Sequence, residues 1–206
     1  IALMQIDGAV RKLENMRKDF VANVSHEIRT PLTAIIGAVE TLLDNDLKSR
    51  EKKKMLTMIA KHSERLNALV EDILSLSRIE QGVDELSLAE ISMPETVEYA
   101  VDVCKGKASQ KEISITVDIE EFSWKLDPVL FQQCLINLID NAIKYTGEKG
   151  EIKIEGRRDD SDGFFIRVED NGCGISEEHI PRIFERFYRV DKARSRELGG
   201  TGLGLA

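Results

Sequence analysis

Apolar residues in the first part of the chain recur at intervals of three and four. Leu13, Met16, Phe20, Val24, Ile28, Leu32, Ile35, Val39 and Leu42 form one stripe, which predicts a single long amphipathic helix from about Leu3 to Asp46. Asn45, Asp46 and Ser49 mark a turn. A second stripe, Met55, Ile59, His62, Leu66, Leu69, Ile73 and Leu76, alternates steps of four and three, a heptad seam on a helix from about Arg50 to Glu80. Two long helices joined by a short turn make an antiparallel hairpin. Each stripe is wider than one hairpin can bury, so the pattern predicts two hairpins pairing into a four-helix bundle.

The period changes after Gln81-Gly82, a helix stop of the C-terminal glycine type. Leu86-Ser-Leu-Ala-Glu90 reads as a short strand, and Pro94 opens a helix of roughly a dozen residues through Val97, Ala100, Val101 and Cys104. Ile113–Ile119 alternates as a strand does, and Trp124-Lys-Leu-Asp127 reads as another. Pro128 opens a helix through Phe131, Cys134, Leu135, Leu138, Ile139, Ala142 and Ile143, ending at Thr146-Gly147. Strands near Gly150–Arg157 and Gly163–Glu169 flank an acidic turn at Asp159–Gly163. From Asn171 to Thr201 the chain is irregular, with one short helix expected near Glu177–Phe184. The fold class is therefore α+β: a helical hairpin over residues 1–82, then a two-layer α/β sandwich over 83–206.

Composition narrows the chemistry. At 206 residues, 42% hydrophobic and 32% charged, the chain fits a globular protein rich in surface helix. A formal net charge of −8 argues against a general nucleic-acid surface. An acidic protein that binds a polyphosphate needs local cations or a metal. Cys104, Cys134 and Cys173 have no metal-ligand spacing, and an odd, scattered set suits a reducing compartment. No apolar run approaches the ~20 residues of a membrane span, and no signal peptide is visible. The chain opens inside a helix and stops at Gly202-Leu-Gly-Leu-Ala206, so both ends are expected to be cut, with a membrane or sensory part upstream.

One histidine stands out. His26, in Phe20-Val-Ala-Asn-Val-Ser-His-Glu-Ile-Arg-Thr-Pro-Leu32, lies roughly 200° around the helix from Val24 at about 100° per residue, facing solvent. Packing gives no reason for a histidine there. Glu27 is adjacent, Thr30 follows at i+4, and Pro31 cannot donate to the Glu27 carbonyl, which predicts a local kink or loosening. Neutral imidazole is a nucleophile near pH 7. A neighbouring carboxylate can hold the proton of one ring nitrogen so that the other presents its lone pair, and Thr30 is placed to bond a water or phosphoryl oxygen. By contrast, His62 on the second seam reads as a satisfied structural residue and His179 as a surface one.

Three clusters further on suit a phosphate donor. Asn137 and Asn141 sit at i, i+4 with Lys144 and Tyr145 beyond, offering amide oxygens to a hydrated Mg²⁺ and a cation to phosphate. Asp170-Asn-Gly172-Cys-Gly174 follows a strand; Asp170 can accept from an exocyclic amine such as that of adenine, and the glycines admit close backbone approach. Gly199-Gly200-Thr201-Gly202-Leu203-Gly204 leads toward an expected helix whose N-terminal N–H groups would face an anion. Between them, Phe184 to Arg196 is long and polar, as a nucleotide lid would be, and Arg189 with the basic residues after it is placed to reach a terminal phosphate.

Taken together, these stretches resemble the catalytic core of two-component sensor histidine kinases with a HisKA-type dimerisation domain, over nearly the whole chain. Ser25–Leu32 resembles the H box, Asn137–Tyr145 the N box, Asp170–Gly174 the G1 box, Phe184–Arg189 the F box and Gly200–Gly204 the G2 box. The stretch Phe20–Leu43 is most similar to phosphate-sensing, PhoR-like members. The resemblance implies a dimeric bundle followed by a Bergerat-type (GHKL) ATP-binding domain. It implies that His26 takes the γ-phosphoryl group of ATP with help from Glu27, and that Asn141 and Asn137 organise Mg²⁺. Lys144 and Arg189 would touch phosphates, Tyr145 would line the nucleotide and Asp170 would read adenine. The phosphoryl group would pass to an aspartate of a response regulator, with Glu27 and Thr30 at positions associated with dephosphorylating that regulator. The resemblance departs at Ala206, where family domains continue with a helix and strands. Two other readings are weighed against it. A GHKL ATPase would carry a glutamate base where Asn137 stands, and an amide cannot take a proton from water. A non-catalytic scaffold would lack box residues that are all present.

Overall fold

In the computed structural model the described backbone covers residues 2–44, 47–81, 86–160, 162–191 and 200–206, and side chains are described from Lys18 onward within those ranges, apart from residues 44 and 78–81. The chain divides into two units, residues 1–78 with 193–203 and residues 79–192 with 204–206.

The first unit is built on α1 (Ala2–Asp44) and on α2 (Ser49–Gln81) as far as Arg78. The turn expected at Asn45 and Asp46, and the stop at Gly82, fall outside the described residues. The helix α1 runs through Pro31. Side-chain hydroxyls turn back onto the helix around it: Ser25, Thr30, Thr33 and Thr41 each donate to the carbonyl four residues back. Glu27 and Arg65, nearly equidistant from the turn, pair across the two helices, as an antiparallel hairpin requires.

The inner face of the hairpin differs from the predicted stripe at two positions. Leu32 and Val39 are exposed, while their neighbours Pro31 and Ala38 are buried in their place. Phe20, Val24, Ile28, Ile35 and Leu42 are half-buried, and on α2 so are Met55, Ile59, Leu66, Ile73 and Leu76, with Leu69 buried. His62 is half-buried on that seam, but its Nδ1 has no hydrogen-bond partner among the described residues, so it is not the satisfied histidine expected.

The second unit runs β1 (Ala89–Ser92), α3 (Met93–Gln110), β2 (Ser114–Ile119), β3 (Ser123–Leu126), α4 (Pro128–Tyr145), β4 (Glu151–Asp159) and β5 (Gly163–Asp170). The strand expected at Leu86–Glu90 forms later, and α3 is 18 residues rather than a dozen. Strands β2, β4 and β5 form one sheet in that order, β2 parallel and β5 antiparallel to β4, while β1 pairs antiparallel with β3. The start of α4 is set by Asp127, whose carboxylate accepts from the N–H groups of Val129 and Leu130, and by Pro128, which needs no partner at the first position. Ser92 caps α3 in the same way, with Pro94 close behind.

Helices α3 and α4 pack on one face of the sheet. Val97, Ala100, Cys104 and Ala108 of α3, Leu135, Ile139, Ala142 and Ile143 of α4, and Ile152 and Ile154 of β4 make the core. Full burial of each large aliphatic side chain contributes about 1.5–3 kcal/mol, an upper range for a compact unfolded chain. Gly156 continues the inward alternation of β4, because a Cβ there would come within 2.9 Å of both Ile119 and Ile166. Beyond the core, Phe164 gathers Phe122, Trp124 and Phe131 at ring distances of 5.8, 5.1 and 6.0 Å, tying the two-stranded ladder to β5 and α4.

After β5 the short helix expected at Glu177–Phe184 reduces to a 3-10 turn, Ile180–Arg182. Gly200–Ala206 is coil and turn.

Candidate functional site

On α1, His26 is exposed, as its angular position predicts. Glu27 is half-buried and accepts a 2.7 Å charged hydrogen bond from Arg65 on α2. The sequence pairs Glu27 with the histidine, whereas in the structure its carboxylate is held by Arg65. Only the place of Arg65 beside the seam residue Leu66 hinted that it would face the other helix. Thr30 is exposed, and its hydroxyl donates to the His26 carbonyl at 3.2 Å.

On α4, Asn137 and Asn141 are both half-buried and one turn apart. The Asn137 side chain is held at both ends: Gln133 Nε2 donates to its Oδ1 at 3.3 Å, and its Nδ2 donates to the Gly204 carbonyl at 3.3 Å. The G2 and N boxes therefore meet at Gly204, inside the second unit. Two amide oxygens on one helix face are hard donors of the type Mg²⁺ accepts alongside water and phosphate, so the residues fit that ion.

Lys144 turns to Asp140, 2.6 Å away, and Lys107 of α3 reaches the other oxygen of the same carboxylate at 2.5 Å. Burial pushes the Asp140 carboxyl up, but the hydrogen bonds and charges of the two lysines outweigh it and hold it below its ordinary value. Lys144, expected at phosphate, is instead paired with Asp140, and an i, i+4 carboxylate and lysine are neighbours on any helix. Cys104 lies near this cluster; burial first, and then the Asp140 charge, push its thiol up, which keeps it an unreactive neutral group.

The G1 turn sits against the end of α4. Asp170 is exposed, and its Oδ1 accepts from the Gly172 N–H at 2.9 Å, an Asx turn that fixes the carboxylate. The Cys173 N–H reaches the Tyr145 carbonyl at 3.4 Å. A Cβ on Gly172 would lie 2.5 Å from that same carbonyl oxygen, so only glycine admits this approach. Gly174 has φ +66°. Tyr145 is half-buried, and Thr146 after it is buried with its Oγ1 unpartnered among the described residues.

Arg189 is half-buried, in a segment that includes a compact polar knot. His179 Nδ1 lies 2.7 Å from the Tyr188 hydroxyl, Arg182 stacks over the Tyr188 ring at 4.2 Å, and Arg182 pairs with Glu185. His179 is thus half-buried and hydrogen-bonded, not the surface residue expected. Gly199 and the basic residues Lys192, Arg194 and Arg196 lie outside the described residues. Within the first unit, Gly200 is half-buried, the Thr201 hydroxyl donates to Asp72 at 2.5 Å, Gly202 has φ +77° and Leu203 is buried.

Two family profiles match along the chain. Residues 16–82 match the His Kinase A (phospho-acceptor) domain, and residues 126–206 match the histidine kinase-, DNA gyrase B- and HSP90-like ATPase domain. The chain belongs to the histidine kinase family. It is 38% identical over 96% of its length to the phosphate regulon sensor protein PhoR of Pseudomonas aeruginosa, of which it spans 45%. Among solved structures it is similar to histidine kinase ThkA in complex with response regulator protein TrrA, at TM-score 0.72 and 28% identity, covering 87% of this chain and 53% of that one. Full-length ShkA in complex with AMPPNP matches at TM-score 0.64 and 26% identity over 91% of this chain and 39% of that one. Those neighbours bear out the α+β class, hairpin followed by mixed sheet and helices.

Proposed function

We propose that this protein is an ATP-dependent protein histidine kinase that phosphorylates itself on His26 and passes the phosphoryl group to an aspartate of a response regulator. The observation that carries the reading is His26 itself: a histidine exposed on a long helix, beside a carboxylate held in place by Arg65. An imidazole nitrogen attacks the γ-phosphorus, the bond to the bridging oxygen breaks, and ADP leaves with that electron pair. Glu27, fixed by Arg65, offsets the positive charge that grows on the ring. Lys144 has to exchange its Asp140 contact for phosphate, and the 23% exposure of its side chain leaves room for that movement. Asn137 and Asn141 would hold Mg²⁺, which supplies charge neutralisation on the phosphates. The Asx turn presents the exposed Asp170 carboxylate to an exocyclic amine, Tyr145 lines the base, and Arg189 with the residues Gly200–Gly204 closes on the phosphates.

Residues 1–82 serve as the dimerisation and phosphotransfer domain and 83–206 as the ATP-binding domain. The outward apolar side chains of the hairpin favour pairing with a second copy into a four-helix bundle. Among the described residues no helix is long and apolar enough to cross a membrane. The similarity to sensor proteins supports placing this core on the cytoplasmic side of a membrane-anchored receptor. Glu27 and Thr30 together also serve hydrolysis of the phosphorylated regulator. The deciding experiment is incubation with γ-labelled ATP and Mg²⁺. Wild type takes up acid-labile, alkali-stable label and His26→Gln takes up none; equal labelling of the variant refutes the reading.

A further inference from the structure

The end of α4 carries three of the groups assigned to the nucleotide, Asn141, Lys144 and Tyr145. The last carbonyls of a helix have no partner within it. Here they are taken one by one. The Ala142 carbonyl accepts from Thr146 N–H, and that of Tyr145 from Cys173 N–H. The remaining three, those of Ile143, Lys144 and Thr146, all accept from a single ammonium, Lys111 Nζ, at 2.7, 3.0 and 2.9 Å. An ammonium has three N–H bonds, so Lys111 is saturated by this one task.

Lys111 belongs to neither α4 nor the G1 turn. It is the C-cap of α3, with its own N–H bonded to the Ala108 carbonyl, and it is half-buried. Its carbonyl accepts from Lys149 N–H at 2.8 Å, in the turn that leads into β4. One residue thus ends α3 with its backbone, closes α4 with its side chain and holds the α4–β4 turn with its carbonyl. The G1 turn is seated on the same helix end: the Cys173 bond and the close approach of Gly172 both use the Tyr145 carbonyl, which lies between two carbonyls held by Lys111. The ammonium also sits on the negative end of the α4 dipole, where an approaching polyphosphate would otherwise meet bare carbonyl oxygens.

We infer that Lys111 is a positioning residue for nucleotide binding: its ammonium fixes the last turn of α4 and, through the Tyr145 carbonyl, the seating of the Asp170–Gly174 turn. The inference rests on the reading that this face binds ATP. Lys111 touches no substrate in this account and takes no part in transfer from His26.

The test is made in the full-length protein with Lys111→Arg, Lys111→Gln and Lys111→Met. Mg·ATP affinity is measured with a fluorescent ATP analogue and by the KM for self-phosphorylation, well below each variant's unfolding temperature. Lys111→Met is expected to raise KM and the analogue's Kd about tenfold, with kcat at saturating ATP within about twofold of wild type. Lys111→Gln, with two donors and no charge, falls between. Lys111→Arg, which keeps the charge and several donors, recovers most of the affinity and remains testable where methionine does not fold. Transfer from already phosphorylated His26 to the regulator stays at the wild-type rate in all three. Lowered unfolding temperatures with unchanged KM and Kd would overturn the inference and leave the kinase reading intact. Failure of the wild type itself to bind Mg·ATP would overturn both.

Discussion

The two units solve the problem of apolar surface in opposite ways. The α/β unit closes over its own core: Met93, Val97, Ala100, Ile139 and Ile154 are at 0% exposure. The hairpin does not. Val21, Leu32, Ile36, Val39 and Leu43 of α1 and Leu56, Val70 and Leu74 of α2 remain exposed, Leu74 at 53%. On α2 these belong to a second seam, Leu56, Ala60, Ser63, Asn67, Val70 and Leu74, displaced by one residue from the inward one and spaced by the same fours and threes. A helix with one such seam packs against one neighbour, and a helix with two packs against a neighbour on each side. The second seam on α2 supports the proposed pairing of the hairpin with a second copy.

Truncating the sandwich core is the sharpest way to break that contrast. Ile139→Ala should cost about 3–4 kcal/mol through lost burial and the cavity left behind, read as a drop in denaturation midpoint. Self-association through the hairpin should be untouched. The complementary change, Val70→Lys with Leu74→Lys, replaces two exposed aliphatic side chains. If each contributes about 1.5–3 kcal/mol at a dimer contact, association weakens by at least about a hundredfold. Sedimentation at micromolar protein should then report a monomer whose sandwich unfolds at the wild-type midpoint. A dimer that survives both lysines would show that the outer seam is not the contact.

The inward seam of α2 follows from its heptad spacing, whereas the outward one, interrupted by Ser63 and Asn67, shows only once the inward face is known. The inner face of α1 departs from the apolar stripe at two positions. Proline and alanine count for little in an apolar stripe, yet Pro31 and Ala38 are the buried residues, while the larger Leu32 and Val39 face outward. Short strands were less legible: a ladder four residues long, such as β1, takes its register from its partner β3 rather than from its own alternation. Of the candidate site, exposure of His26 and the tight turn at Gly172 followed from angular position and residue type. The contacts of Lys111 and Arg65 did not, since they join residues 32 to 38 apart in sequence through side chains whose directions only packing decides. The pairing of Lys144 with Asp140 was within reach of the spacing alone.

The hairpin's inner face depends in part on a polar tie between its two helices. Arg65 and Glu27 have side chains only 11% and 16% exposed, so removing one leaves the other desolvated. Arg65→Met should cost about 1–3 kcal/mol, seen as a lower unfolding temperature for the helical unit by circular dichroism. Adding Glu27→Gln should return part of that loss, because an amide is less costly than a carboxylate to leave unpaired. Additive losses in the double variant would mean the two residues act independently.

The smallest expected effect is the acid response of the sandwich, where a single carboxylate bridges its two helices. Asp140 holds Lys107 of α3 and Lys144 of α4, and its folded carboxyl titrates below the ordinary 3.8. A carboxyl with a depressed folded value contributes stability that is present above its unfolded value and lost as pH falls through the folded one. Wild type should therefore lose stability more steeply than Asp140→Asn between about pH 5 and 3, while at neutral pH the wild type is the more stable. Denaturation midpoints of the two proteins across that range give the comparison. Parallel curves would mean that the two lysines gain as much from an amide as from a carboxylate, and that the charge of Asp140 does not clamp α3 to α4.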